Sequence, residues 1–208
     1  MFIFQAFIES KFIISSEKKR CGGSLISRYI IISAAHCFLE YGDTDVLLMP
    51  EFVEVTLGDH NVSPSISPSS TERTYRILSS AIEFHPQYDY VTGRNDLAKL
   101  YLDRPFDFAR NPKIRPICLP TNPNEEYIQK DAKATGWGLM KRWTLANLLQ
   151  EVDLQIISMD ECNERLRNFH REQAPDHIVT SNKVICAYGE RPKRGPAPRI
   201  CRGRHFLH

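Results

Sequence analysis

The 208-residue sequence predicts an all-β protein of the barrel class, organised as two antiparallel β units. Three observations predict it. Short β-branched or alternating runs recur between polar turns, almost nothing repeats at the helical period, and a proline-marked passage crosses the middle of the chain. Apolar residues make up 42%, enough to build a core, and no bias in composition points to disorder.

The first expected strand is residues 4–8, followed by a second apolar run, Phe12-Ile13-Ile14. Residues 29–33 are β-branched and continuous, as in a buried strand. Residues 51–57 alternate through Phe52, Val53, Val55 and Leu57, and residues 75–78 continue the pattern. The Ser/Pro-rich stretch 63–71 predicts a surface loop. In the strand expected over 97–102, Lys99 and Tyr101 share one face while Leu100 and Leu102 share the other.

Asn111-Pro112, Pro116, Pro120 and Pro123 then mark the connection, and a second β unit opens near Ala132. Residues 148–157 predict a strand and residues 160–169 the best helix. Ser158 is placed to cap that helix, with Cys162, Leu166 and Phe169 on one face. Residues 191–199 are basic and proline-rich and cannot pair as a central strand. The resulting division is 1–112 for a first β unit, 113–131 for the connection, 132–190 for a second β unit and 191–208 for a basic, proline-rich tail.

Charge excludes several function classes. With 27 Lys+Arg against 25 Asp+Glu the net is +2, which gives no reason to expect a nucleic-acid partner. No apolar run approaches the ~20 residues that a membrane-spanning helix needs. Residues 1–8 lack a basic leader and a small-residue cleavage site, so no signal peptide is expected within this chain. Six dispersed cysteines, none in a C-x-x-C pair, predict disulfides from an oxidising compartment and no structural metal. Asn61-Val62-Ser63 is a glycosylation triplet of a kind that arises often by chance.

The chemistry concentrates in Cys21-Gly22-Gly23-Ser24-Leu25-Ile26-Ser27, a strand, and then Ser33-Ala34-Ala35-His36-Cys37. A histidine just past the end of a buried strand, beside a cysteine, is held rigidly, and two alanines leave room around it. Taken alone, this segment fits a braced core histidine as well as a catalytic one. Asn95-Asp96-Leu97-Ala98, Arg115-Pro116-Ile117-Cys118-Leu119-Pro120 and Thr135-Gly136-Trp137-Gly138 follow in order. Leu149-Gln150-Glu151-Val152 and Val184-Ile185-Cys186-Ala187 continue the series. From about Phe4 to Cys186 the chain resembles the chymotrypsin/trypsin family of serine proteases.

The resemblance implies a two-barrel serine-protease fold with the second barrel incomplete. It implies His36 as general base, Asp96 as the carboxylate that orients it, and no cofactor. It also implies Cys21–Cys37 and Cys162–Cys186 disulfides, the first closing a loop whose cross-link is worth roughly 3 kcal/mol. Cys118 resembles the cysteine that ties multidomain members to an upstream segment, and Cys201 one that pairs farther along. Protein substrates or protease inhibitors are the implied partners, in a secreted, extracellular setting whose targeting segment is absent from this chain.

The resemblance then breaks. Family members carry Gly-Asp-Ser-Gly-Gly after the cysteine matched by Cys201, supplying nucleophile and oxyanion hole together. Here the continuation is Arg202-Gly203-Arg204-His205, and no serine follows Ser181. Arg199 stands where trypsin-like members place the aspartate that attracts Lys or Arg. Ser24 lies on the strand before the histidine and reads as structural. The sequence therefore predicts an endopeptidase domain that is inactive as written and truncated at both ends. Its rival is a non-catalytic homologue that binds substrates or inhibitors.

Overall fold

The computed structural model describes residues 4–42, 46–63, 73–122, 125–140, 144–170 and 185–189. The chain divides into two compact units, Met1–Pro120 with Asn147–Leu149, and Thr121–Ala146 with Gln150–His208.

The first unit contains β1 (Gln5–Lys11), β2 (Lys18–Leu25), β3 (Ile30–Ser33), β4 (Glu40–Tyr41), β5 (Leu47–Leu48), β6 (Phe52–Leu57), β7 (Arg73–Ile77), β8 (Ile82–Phe84) and β9 (Ala98–Tyr101). Seven of these form one antiparallel sheet in the order β7-β6-β1-β2-β3-β9-β8, and β4 pairs with β5 as a separate hairpin. Alternation decides which face is buried. Val53, Val55 and Leu57 of β6 are fully enclosed, whereas Phe52, Glu54 and Thr56 between them are not. Ile8, Leu25, Ile31, Phe38, Leu100 and Phe106 complete the centre of the core.

β1 runs three residues beyond its apolar signal, through Glu9, Ser10 and Lys11, because both neighbouring strands continue to pair with it. On the partly exposed face Arg20 contacts Glu9 at 3.3 Å and Lys18 bridges Glu9 and Glu54. The apolar run after β1 does not form a strand. Phe12 is fully buried, while Ile13 and Ile14 lie exposed in the turn toward β2. β2 has no apolar alternation of its own and forms by pairing on both sides. It needs a glycine at position 23, where a Cβ would stand 2.8 Å from Ile8 Cδ1 and 3.0 Å from the Ile32 carbonyl oxygen.

The second unit has a three-stranded antiparallel sheet of β10 (Asp131–Gly136), β11 (Gln150–Ile157) and β12 (Cys186–Tyr188). The strand expected from residue 148 begins two residues later. The preceding backbone bonds elsewhere: Leu149 N–H donates to the His60 carbonyl at 2.8 Å, and Val62 N–H to that of Asn147 at 2.9 Å. The helix α1 (Met159–His170) appears as expected, and Ser158 Oγ accepts the Glu161 N–H at 3.2 Å. A disulfide joins Cys162 of α1 to Cys186 of β12, and the Arg165 guanidinium sits 3.8 Å from the Tyr188 ring centroid. The stretch 64–71, the side chains of Leu166 and Phe169, Ser181, and the tail 191–208 with Cys201 lie outside the described residues.

Candidate active site

Two adjacent strands bring His36 and Asp96 together. β3 and β9 pair antiparallel with Ser33 opposite Ala98. The chain leaving β3 and the chain entering β9 therefore meet at one end of the sheet, His36 three residues after Ser33 and Asp96 two before Ala98. His36 lies in a single 3-10 turn, Ala35–Phe38, whose Ala35, Cys37 and Phe38 are buried. Those three anchor the turn in the core and leave the imidazole at its rim.

Asp96 is held by its own neighbours. Asn95 has φ 54, a left-handed conformation that asparagine tolerates better than most residues, and its Nδ2 donates to the Gln87 carbonyl at 2.7 Å. Leu97 N–H donates to the Asn95 carbonyl at 2.8 Å, which makes Asp96 the centre of a three-residue turn. Upstream, Asp89 closes residues 89–94 by accepting from Val91 N–H and from the Thr92 hydroxyl. The aspartate is thus delivered on a braced segment.

The two side chains make two bonds. Asp96 Oδ1 accepts the His36 backbone N–H at 2.8 Å, and Asp96 Oδ2 lies 2.6 Å from His36 Nδ1. The Asp96 side chain is 10% exposed and the His36 side chain 25%. An ionised carboxylate only accepts, so this contact puts the ring proton on Nδ1 and leaves Nε2 as the basic nitrogen. Held this way, the imidazole can take a proton at Nε2 while the carboxylate stabilises the cation that forms. Tyr88 packs nearby, and its phenol is pushed above its ordinary value, first by burial and then by the negative charge of Asp96.

Cys37 joins Cys21 in a disulfide, and its sulfur lies 3.6 Å from His36 Nε2. Cys21, His36 and Cys37 bring potential metal-ligating atoms within 4.8 Å of one another, but both sulfurs are committed to that bond, leaving a single imidazole. Cys118 is an exposed free cysteine in the first unit. Ser24 lies on β2, on the face opposite Cys21 and Leu25.

Lys19 also reaches the histidine turn, although no motif in the sequence marks it. Its Nζ donates to the His36 carbonyl at 2.8 Å and to that of Leu39 at 3.2 Å. The signal lay in the two-residue period of β2, which puts Lys19 on the same face as Cys21, Gly23 and Leu25.

Comparison with known proteins adds sequence and fold relationships. A family model described as Trypsin matches residues 5–203. The chain is 33% identical over 169 residues to serine proteinase stubble of Drosophila melanogaster, an alignment covering 77% of this chain and 19% of that protein. It is 36% identical over 171 residues to serine protease filzig of the same organism, covering 82% of this chain and 9% of that protein. The chain thus spans less than one fifth of the length of either relative. A solved structure described as GrC superposes with a TM-score of 0.69 at 21% identity, covering 91% of this chain and 71% of the other, a likeness of fold alone.

Proposed function

The chain belongs to the trypsin family of serine proteases, and from that premise we propose that it carries the general-base half of an acyl-transfer site without the nucleophile that would complete it. His36 is the base and Asp96 the carboxylate that fixes its tautomer. The observation that carries this reading is the 2.6 Å contact between His36 Nδ1 and Asp96 Oδ2, supported by the bond from the His36 backbone N–H to the same carboxylate. In the Ser-His-Asp template, which is this family's own, a serine hydroxyl becomes nucleophilic only when such a histidine accepts its proton.

The loss of function rests on residue identities. Arg204 and His205 occupy the places of the family's aspartate and serine after the matched cysteine, and the family match itself ends at residue 203. Without the hydroxyl no acyl-enzyme forms, and without the glycine-rich loop around it the oxyanion has no organised donors. The same reading assigns 1–112 to a first barrel, 132–190 to part of a second and 191–208 to a divergent tail. Protein substrates or inhibitors are the proposed partners, the setting is extracellular, and Cys118 is the proposed point of disulfide attachment to an upstream segment.

A serine-directed fluorophosphonate probe tests the reading on the purified chain with its disulfides intact. No labelling is the expected result. Labelling that disappears in His36→Ala would overturn the claim of inactivity, because it would reveal a serine activated by that base.

A further inference from the structure

We propose that Lys19 is a positioning residue for His36, its ammonium clamping the carbonyls of the histidine turn and thereby holding the imidazole against Asp96. The proposal rests on the reading of His36 and Asp96 as a working pair, and it assigns that pair a third support from a different strand.

The histidine turn is weak by itself. It is four residues long, has no side-chain cap at its start, and the bonds at its two ends are long, 3.3 Å from Cys37 N–H to the Ala34 carbonyl and 3.5 Å from Leu39 N–H to the His36 carbonyl. Bonds of that length contribute little, so restraint from outside the turn matters. Ties from outside help to hold it, among them the Cys21–Cys37 disulfide, the Asp96 carboxylate on the His36 N–H, and the Lys19 ammonium on the His36 and Leu39 carbonyls. The disulfide fixes Cys37 and the carboxylate fixes the ring side of His36. Only Lys19, among these three, restrains the carbonyl side, where rotation of the peptide would swing the ring away.

The placement of Lys19 is dictated by register. β2 pairs with β1 so that Lys19 stands opposite Ser10, which is fully buried, and both point to the inner face. A lysine drawn inward there loses hydration, which costs stability rather than supplying it. Its burial lowers the ammonium's pKa, while the charges of Glu40 and Asp96 oppose that shift. Charge-assisted bonds to two carbonyls are the return on that cost.

Nuclear magnetic resonance of the ¹⁵N-labelled chain, with both disulfides intact, separates the alternatives. The wild type should show a strongly deshielded His36 Nδ1–H signal, assigned by its absence in His36→Ala. Lys19→Met should lose that signal while still melting cooperatively, and Lys19→Arg should retain it. Retention of the signal in Lys19→Met overturns the proposal, even if the melting temperature falls, since that is what a merely structural lysine would give. Loss in Lys19→Arg overturns it as well. If Lys19→Met does not fold, Lys19→Gln, too short to reach both carbonyls, is read in the same way. A wild-type chain without the deshielded signal would overturn the His36–Asp96 reading itself, and the proposal with it.

Discussion

His36 and Asp96 lie 60 residues apart in the chain and are joined twice, through the backbone N–H of the histidine and through its ring. One carboxylate therefore reads both the position and the tautomer of the imidazole. The backbone bond fixes where the turn sits, and the ring bond fixes which nitrogen carries the proton.

Asp96→Asn separates those two jobs. The amide oxygen can still accept the backbone N–H, so the fold should survive and the chain should melt cooperatively. The ring loses its charged acceptor, and the deshielded Nδ1–H signal should vanish. In Ser-His-Asp proteases with a complete site the same change lowers kcat by about 10⁴, through the wrong tautomer. A signal that persists in the amide variant would show that the carboxylate charge does not set the tautomer.

Cys21 and Cys37 close a loop with a sequence separation of 16, and the second cysteine sits inside the histidine turn. Replacing both by alanine should cost roughly 3 kcal/mol in urea unfolding, most of it from the greater freedom of the unfolded chain. A midpoint unchanged within error would mean that the unfolded chain is already restricted between these two positions without the cross-link.

Gly23→Ala places a Cβ 2.8 Å from Ile8 Cδ1, 3.0 Å from Ile31 Cγ2 and 3.0 Å from the Ile32 carbonyl oxygen. The two isoleucines are core residues and the oxygen is backbone, so none can yield cheaply. A loss of about 1–3 kcal/mol is expected from overpacking, measured by chemical denaturation. A neutral result would require β2 and β3 to separate without penalty.

Tyr88 predicts an alkaline limit to stability. Burial first, and the charge of Asp96 second, hold its phenol neutral above its ordinary value of 10.0. The folded-state pKa exceeds the unfolded one, so the unfolded chain releases this proton first. The contribution is complete below about pH 10 and declines as pH rises beyond it toward the folded-state value. The urea midpoint of the wild type should therefore fall more steeply above about pH 10 than that of Tyr88→Phe. Identical slopes in the two proteins would remove Tyr88 as the source.

Legibility varied with the kind of signal. β6 was readable because Val53, Val55 and Leu57 alternate with half-exposed residues, and one period suffices to orient a strand. The helix after Ser158 was readable from its cap. β2 was harder, because Lys18-Lys19-Arg20-Cys21-Gly22-Gly23 has neither apolar alternation nor strand propensity, and the segment is a strand because it pairs residue by residue with β1. The hairpin of β4 and β5 and the three-residue β8 are too short to leave a periodic trace. Phe12-Ile13-Ile14 misleads as an apolar run, since only its first residue enters the core.

The sequence by itself determined the all-β class and the family, and it singled out His36 and Asp96 as the candidate pair and Arg204 and His205 as the residues at the proposed nucleophile position. Each of these is carried by local residue type and order, which need no partner strand to be read. The tertiary structure alone decided that β3 and β9 are neighbours with Ser33 opposite Ala98, and that Lys19 turns inward beneath the histidine turn. Both follow from register, a choice among hydrogen-bonding partners many residues apart that local pattern does not encode. A shift of one residue in either pairing would send these side chains to the opposite face and leave His36 without its carboxylate.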